Sequence, residues 1–291
     1  MEILITEKSK DYELLDSGDE EKLERFGKFI LRRPEPQAIW SKSLPDSEWQ
    51  KADASYTRDG ETGKWQKAEN FLEMWRIELE GLTFNIKLLP SKHLGVFPEQ
   101  SSHWDWLRSL IKDSSRDVKV LNLFGYTGGA SLASSKAGAK VVHVDASQFV
   151  VDAAHKNYLD SGLKGTEVRF IVDDVRKFVE REIKRGNKYD VILLDPPVYG
   201  KGNQKQKQKQ IWKIEEDLMP LLLCLKNLLS TEPLAIIING YSSLYSHITY
   251  AQMLSEITKG LGGKISSGEL AIKESASGKL LPSGIFVCWE K

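Results

Sequence analysis

From residue 118 onward the chain alternates apolar runs of strand length with amphipathic stretches of helix length, and few folds accept that pattern. The apolar runs are 118–124, 140–145, 168–172, 189–195 and 234–239. Helical stretches at 129–137, 148–161, 175–185 and 210–229 separate them. Strands that are apolar almost throughout have both faces covered, which predicts a parallel sheet with helices on either side. A helix over 250–261 is followed by two more strands, 264–273 and 284–289, joined by Ser275-Ala276-Ser277-Gly278. That join leaves no room for a helix, so the sheet is expected to close on an antiparallel hairpin, for seven strands in all. A plain dinucleotide-binding domain would end on another crossover helix.

Residues 1–93 have a different texture. They hold Trp40, Trp49, Trp65 and Trp75, short apolar bursts, and turn clusters such as Arg58-Asp59-Gly60. The runs 75–79 and 82–88 read as short strands near tight turns. We therefore expect a small β-rich N-terminal domain over 1–93 and a second domain over 94–291. The segment 102–112, with Trp104, Leu107 and Ile111 at helical spacing, links them. The 41 basic and 41 acidic residues balance over 291 positions. That balance excludes an indiscriminate basic coat for nucleic acid and an acidic disordered tail. The balance is not local: 1–93 carries 15 basic and 19 acidic residues, 94–291 carries 26 and 22. Two cysteines, Cys224 and Cys288, make neither a disulfide framework nor a zinc site, so no metal is expected and both read as buried small hydrophobes. The first ten residues, MEILITEKSK, are too short and charged for a signal peptide. No apolar run approaches the roughly 18 residues of a membrane span. A reducing cytoplasmic setting is the expectation.

In an open α/β sheet, ligands bind beyond the carboxyl ends of the strands. The first such exit reads Asn122-Leu123-Phe124-Gly125-Tyr126-Thr127-Gly128-Gly129 just before a helix start, where backbone N–H groups face a ligand and glycines admit a bulky one. The same pattern also serves a simple tight turn. The second strand ends in Asp145, twenty positions after Gly125, followed by Ala146 and Ser147. A carboxylate there holds a ribose diol, or else caps the next helix. The third exit, Asp173-Asp174-Val175, offers Asp174 and the Val175 N–H to an adenine edge, with Asp173 solvated or capping. The fourth reads Asp195-Pro196-Pro197-Val198-Tyr199. Two prolines fix the turn and present Asp195 and the Pro196 carbonyl rigidly, while Tyr199 supplies a flat face for a base.

These residues resemble those of class I S-adenosylmethionine-dependent methyltransferases. More closely, the chain is similar to the bacterial ribosomal RNA large-subunit methyltransferases, in which a small β-rich region precedes a Rossmann-like catalytic domain. The likeness rests on 121–129 (LNLFGYTGG), 144–147 (VDAS), 173–175 (DDV) and 195–199 (DPPVY). Upstream, 92–100 (KHLGVFPEQ) is similar to the family's Thr-Gly-x-Phe-x-Asp-Gln-Arg segment. Gly95, Phe97 and Gln100 match, whereas Leu94, Glu99 and Ser101 stand where the family has Thr, Asp and Arg. The resemblance implies S-adenosylmethionine as cofactor and S-adenosylhomocysteine as product. It places Gln100, Asn122, Phe124, Gly125, Tyr126, Thr127 and Gly128 around the cofactor, Asp145, Ala146 and Ser147 at the ribose, and Asp174 and Val175 at the adenine. Asp195, with Pro196, Pro197 and Tyr199, faces the methyl group.

Methylating a pyrimidine carbon needs a thiolate nucleophile. Neither Cys224 nor Cys288 lies at a strand exit, and the segment after the fifth strand reads Asn239-Gly240-Tyr241-Ser242-Ser243 rather than the family's cysteine-bearing one. The Asp-Pro-Pro-x-Tyr element leans instead toward an exocyclic amine, although it carries one residue more than the Asp-Pro-Pro-Tyr of amine methyltransferases. Lys201, Lys205, Lys207, Lys209 and Lys213 follow that turn and would neutralise phosphates of ribosomal RNA, or form only a solvated loop. Arg25, Lys28, Arg32 and Arg33 offer a second patch or, with Glu20, Glu21 and Glu24 nearby, a self-paired surface helix. Most of the six tryptophans between Trp40 and Trp106 are expected in the core of the small region. Two other functions remain open: methyl transfer to a small molecule or protein, and a non-catalytic RNA-binding protein of the same fold.

Overall fold

The computed structural model describes residues 2–59, 62–200, 211–241 and 245–291. They form two compact units, one of residues 1–4, 103–269 and 284–291, the other of 5–102 and 270–283. The sequence reading puts its boundary between 93 and 94. The units divide near 102, and 270–283 counts with the N-terminal strands.

The first strand is β1 (Glu2–Thr6). The β-rich unit then contains β2 (Tyr12–Gly18), β3 (Glu21–Phe26), β4 (Phe29–Pro34), the short helix α1 (Asp46–Trp49), β5 (Ala54–Asp59) and β6 (Thr62–Lys67). Strands β2 to β6 make a five-stranded sheet in sequence order. A separate hairpin pairs β7 (Met74–Leu79) with β8 (Leu82–Lys87). Its two-residue turn, Glu80-Gly81, has positive φ at both positions, as the right-handed twist of a hairpin demands. The core is Tyr12, Leu14, Leu23, Phe26, Leu31, Trp49, Ile77, Leu82 and Phe84, each at most 2% exposed. The segment read as either a basic patch or a self-paired surface helix is instead the hairpin β3–β4. Leu23 and Phe26 are both buried, on opposite faces of β3, and the arginines are bound by carboxylates rather than bare. Arg25 pairs with Glu13 at 3.2 Å, Arg32 with Glu21 at 2.7 Å, and buried Arg33 with buried Glu24.

The larger unit is built on α2 (Ser101–Asp113), β9 (Lys119–Leu123), α3 (Gly129–Lys136), β10 (Lys140–Asp145), α4 (Gln148–Asp160), β11 (Val168–Val172), α5 (Val175–Lys184) and β12 (Val191–Leu194). A two-stranded ladder, β13 (Tyr199–Gly200) with β14 (Trp212–Lys213), comes next. Then follow α6 (Ile214–Leu225), β15 (Ala235–Gly240), α7 (His247–Thr258), β16 (Lys264–Lys273) and β17 (Leu280–Glu290). The sheet order is β1-β16-β17-β15-β12-β9-β10-β11. Strands β11, β10, β9, β12 and β15 are parallel, and β17 runs antiparallel to β15. The seven expected strands are present, and β1 adds an eighth at the edge. Leu121, Leu123, Val142, Val144, Ile192, Leu194, Ile236 and Ile238 face α5, α6 and α7. Val120, Val141, Val191, Leu193 and Ile237 face the other way, toward Leu107 and Ile111 of α2. This two-sided burial is why the strands read as apolar throughout. The order reverses between β9 and β12, so the switch point lies where the exits of those strands open.

Candidate functional site

Strand β9 delivers the loop Phe124–Gly128 to the switch point. Phe124 (φ 57°) and Tyr126 (φ 49°) both adopt the left-handed region, a costly conformation for aromatic residues that is usually found at functional sites. Gly128 (φ 97°) supplies the N-cap of α3. The glycines are also required by the protein itself. A Cβ on Gly125 would lie 2.4 Å from the His143 ring, one on Gly128 2.8 Å from Leu132, and one on Gly129 2.3 Å from the Trp104 indole. Their missing side chains make room for protein, which draws the loop tightly onto β10, α3 and α2. Asn122, expected to touch cofactor, is buried, and its amide donates to Ser131 Oγ at 2.8 Å.

Asp145 ends β10. Its Oδ2 accepts the Tyr126 N–H at 3.1 Å and its Oδ1 the Ser147 N–H at 2.9 Å. The N-cap of α4 is Ser147, not Asp145. Burial raises the Asp145 carboxyl, while the backbone N–H groups of Ser147, Tyr126 and Ala146 oppose the rise. Each oxygen keeps a lone pair, the acceptor set a vicinal diol requires. At the third exit the roles of the two aspartates differ from expectation. Asp174, not Asp173, caps α5, accepting from the N–H groups of Arg176 and Lys177. Its Oδ2 also accepts from the Arg176 guanidinium at 2.8 Å, and despite burial this company lowers its pKa. Asp173 binds Arg181 and accepts the Asp174 N–H at 2.9 Å. The cause is position: only residue 174 stands immediately before the first helical turn.

Asp195, half-buried, follows β12, with Pro196 buried and Pro197 and Val198 exposed. Tyr199 is 56% exposed. The turn is held by Trp212, which the sequence did not single out. Its Nε1–H donates to the Pro197 carbonyl at 2.7 Å, and its ring meets Phe124 edge-on at 4.8 Å. Arg176 lies 5.9 Å over the same ring and reaches Asp217 at 2.8 Å. The other oxygen of Asp217 accepts the Lys213 N–H at 2.8 Å. A tryptophan shortly after a lysine-rich stretch was the available signal. Tyr250, buried on α7, faces this end of the sheet, and burial, Tyr245 and Asp195 push its hydroxyl up to about 12. Lys213 is held by Glu216 at 2.7 Å. Lys201, Lys205, Lys207 and Lys209, together with Ser242 and Ser243, lie outside the described residues. Gln100, in the β-rich unit, is buried at the end of the turn Pro98–Gln100, next to buried Glu99.

Residues 45–236, well over half of the chain, match the family model described as S-adenosylmethionine-dependent methyltransferase. The chain belongs to that family. A methyltransferase of this kind from Agrobacterium tumefaciens superposes with a TM-score of 0.94 at 38% identity, over 100% of this chain and 93% of that one. A Streptococcus mutans chain of the same description superposes at 0.73 over 97% of this chain and 76% of that one; at 16% identity it shows the fold alone. Ribosomal RNA large subunit methyltransferase I of Aeromonas salmonicida is 35% identical over 42% of this methyltransferase and 30% of its own length. Methyltransferase K/L of Shewanella amazonensis is 31% identical over 58% of this chain and 22% of its own. The chain thus spans less than a third of these curated relatives. S-adenosylmethionine is the cofactor of the family. The Asp145 carboxylate, with a lone pair left on each oxygen, and the anchored loop before it are chemically suited to its ribose, and no helix among the described residues is long and apolar enough to cross a membrane.

Proposed function

We propose that this methyltransferase modifies a base of ribosomal RNA, with an exocyclic amine as the acceptor. The observation that carries the reading is the fourth exit. Asp195 stands on a turn fixed by two prolines and by the Trp212 bond to the Pro197 carbonyl, with Tyr199 exposed four residues on. The bound cofactor supplies an activated methyl group. Asp195 and the Pro196 carbonyl accept the two amine hydrogens, which turns the nitrogen lone pair toward the methyl carbon. Tyr199 covers one face of the base. The N–C bond forms as the C–S bond breaks, its electron pair stays on sulfur, and the amine proton leaves through Asp195 or water. A route through a base carbon would need a thiolate. Burial pushes the Cys288 thiol up to about 12, and Cys224 lies within α6. The names of the ribosomal RNA methyltransferase relatives support the substrate class. Two free thiols fit the reducing cytoplasm where such RNA is found. The sites at Gln100, Thr127, Ala146, Ser147 and Val175 follow from the same reading.

The test is incubation of the protein with labelled S-adenosylmethionine and unmodified ribosomal subunits or total RNA, followed by nucleoside analysis. Label in an N-methylated base is expected, and Asp195→Ala should abolish it while calorimetric binding of S-adenosylhomocysteine persists. Label at a pyrimidine carbon refutes the amine. Label in no nucleic acid moves the acceptor to a small molecule or a protein.

A further inference from the structure

We propose that Arg176 is a positioning residue for methyl transfer: its guanidinium ties the acceptor turn Pro197–Tyr199 to Asp174 at the adenine end of the cofactor site. The proposal rests on the reading of Asp195 and Asp174 given above. Arg176 stands in the first turn of α5, two residues after the N-cap Asp174. A cation there meets the positive end of the helix dipole, so nearby carboxylates have to offset its position. Two do so. Nε and Nη2 donate to the two oxygens of Asp174 at 3.1 and 2.8 Å, and Nη1 donates to Asp217 Oδ1 at 2.8 Å. The three side chains are at most 20% exposed, so water and salt screen the bonds weakly. Only a planar fork reaches two carboxylates in this way; a lysine is a single point charge.

Asp217 carries the tie onward. Its Oδ2 accepts the Lys213 N–H at 2.8 Å. Lys213 is the N-cap of α6 and stands opposite Tyr199 in the β13–β14 ladder. On one side of it, the Trp212 Nε1–H donates to the Pro197 carbonyl at 2.7 Å; on the other, the Ile214 N–H donates to the Val198 carbonyl at 3.1 Å. Three successive residues, 212 to 214, thus hold three successive residues of the turn, 197 to 199. The guanidinium also lies 5.9 Å over the Trp212 ring, whose edge meets Phe124 of the β9 exit at 4.8 Å. The strip that fixes the acceptor turn is therefore moored to α5 through one arginine, and that arginine grips the carboxylate assigned to the adenine. In-line transfer depends on such mooring, because a displacement of about 1 Å between the reacting atoms can cost about 100-fold in rate.

Solution NMR of the full chain reads the turn without any acceptor, through exchange of the Trp212 indole proton. Its signal is assigned by its loss in Trp212→Leu. The Trp289 indole, which donates to the Gly262 carbonyl at 2.8 Å in the same unit, is the reference. Arg176→Lys keeps the charge and loses the fork; Asp217→Asn offers one oxygen where two are used. In each, Trp212 exchange should quicken about tenfold while that of Trp289 stays within about twofold, which a general loss of stability would not produce. Asp217→Asn should bind S-adenosylhomocysteine within about twofold of wild type in calorimetry, while its turnover number at saturating cofactor falls about tenfold. The double variant should fall no further than the more affected single one, since both break one path. Should Arg176→Lys fail to fold, Asp217→Asn carries the exchange and turnover measurements. Unchanged Trp212 exchange in folded variants, an equal rise for Trp289, or additive falls in the double variant overturns the proposal. If ribosomal RNA takes no label from the wild type, the acceptor reading fails separately, and indole exchange still decides whether Arg176 holds the turn.

Discussion

Single residues at this site differ in how many tasks they hold. Asp145 already accepts two backbone N–H groups, so its carboxylate is oriented before any ligand arrives. Asp145→Ala should therefore weaken S-adenosylhomocysteine binding about tenfold in calorimetry, and a smaller fall would remove Asp145 from the ribose. Asp174 is committed to Arg176 and to its helix N-terminus. Replacing it will lower stability as well as affinity, so thermal melts must accompany any binding measurement. Glu99 shifts oppositely to Asp174. Burial, outweighing Lys22 and Arg33, raises its carboxyl to about 7. A folded-state pKa above the unfolded one gives stability that is present below about 4.5 and lost as pH rises through about 7. Glu99→Gln should flatten that loss, leaving the variant more stable than wild type at pH 8 by up to about 3 kcal/mol in denaturant unfolding.

At the scale of elements, the exits carry the chemistry and the strands only aim it. The strands were legible because their apolar runs had no alternative: parallel strands covered twice must read as Val, Ile and Leu. The exits were legible in part. Asp145 and Asp195 announce themselves by standing where an apolar run stops, and Asp-Pro-Pro is rigid by covalent structure alone. The roles of the glycines were not legible, because whether a missing Cβ serves a ligand or a packed side chain depends on what lies opposite. For Gly125 that neighbour is His143, eighteen residues away. The surface helix that was one of two readings for Arg25 to Arg33 failed for a related reason. Charges at i and i+4 fit a helix, yet the same residues in a hairpin, where Glu21 stands opposite Pro34 and Glu24 opposite Leu31, also let Glu21 reach Arg32 and Glu24 reach Arg33 from the neighbouring strand. The ladder β13–β14 gives a prediction at this scale. Trp212→Leu removes the bond to Pro197 and the contact with Phe124. The turnover number should fall about tenfold or more while S-adenosylhomocysteine affinity holds within about twofold, because the turn loosens and the ribose site does not.

The whole molecule has a preferred pH range set by buried imidazoles. His103 and His143 are each held at about 4 by burial, and His93 is lowered to the same value by burial and by Arg33, Lys92 and Lys22. Depressed histidines contribute stability above about 6.5 that is lost as pH falls through about 4. Acid unfolding should set in below pH 6 and pass its midpoint earlier than carboxylates alone would dictate. His103→Phe should shift that midpoint downward in a circular-dichroism titration, since His103 is fully buried, makes no ring hydrogen bond among the described residues, and stacks edge-on against Phe286 at 5.0 Å.

One further consequence follows from the assignment of 270–283 to the β-rich unit. Glu274 at that tip is buried and receives hydroxyl protons from Ser17, Ser43 and Ser277, while Leu270, Ile272 and Leu281 are among the buried residues. No single cut in the gene separates the two units. A truncation after 93 or 102 leaves one fragment with an unsealed core and the other with a stray apolar hairpin tip. Recombination at one crossover would likewise give each parent's N-terminal unit the other parent's tip. Exchange of the β-rich unit among such chains therefore requires four coordinated breakpoints, after residues 4, 102, 269 and 283, which ties the inheritance of that unit to that of the larger one.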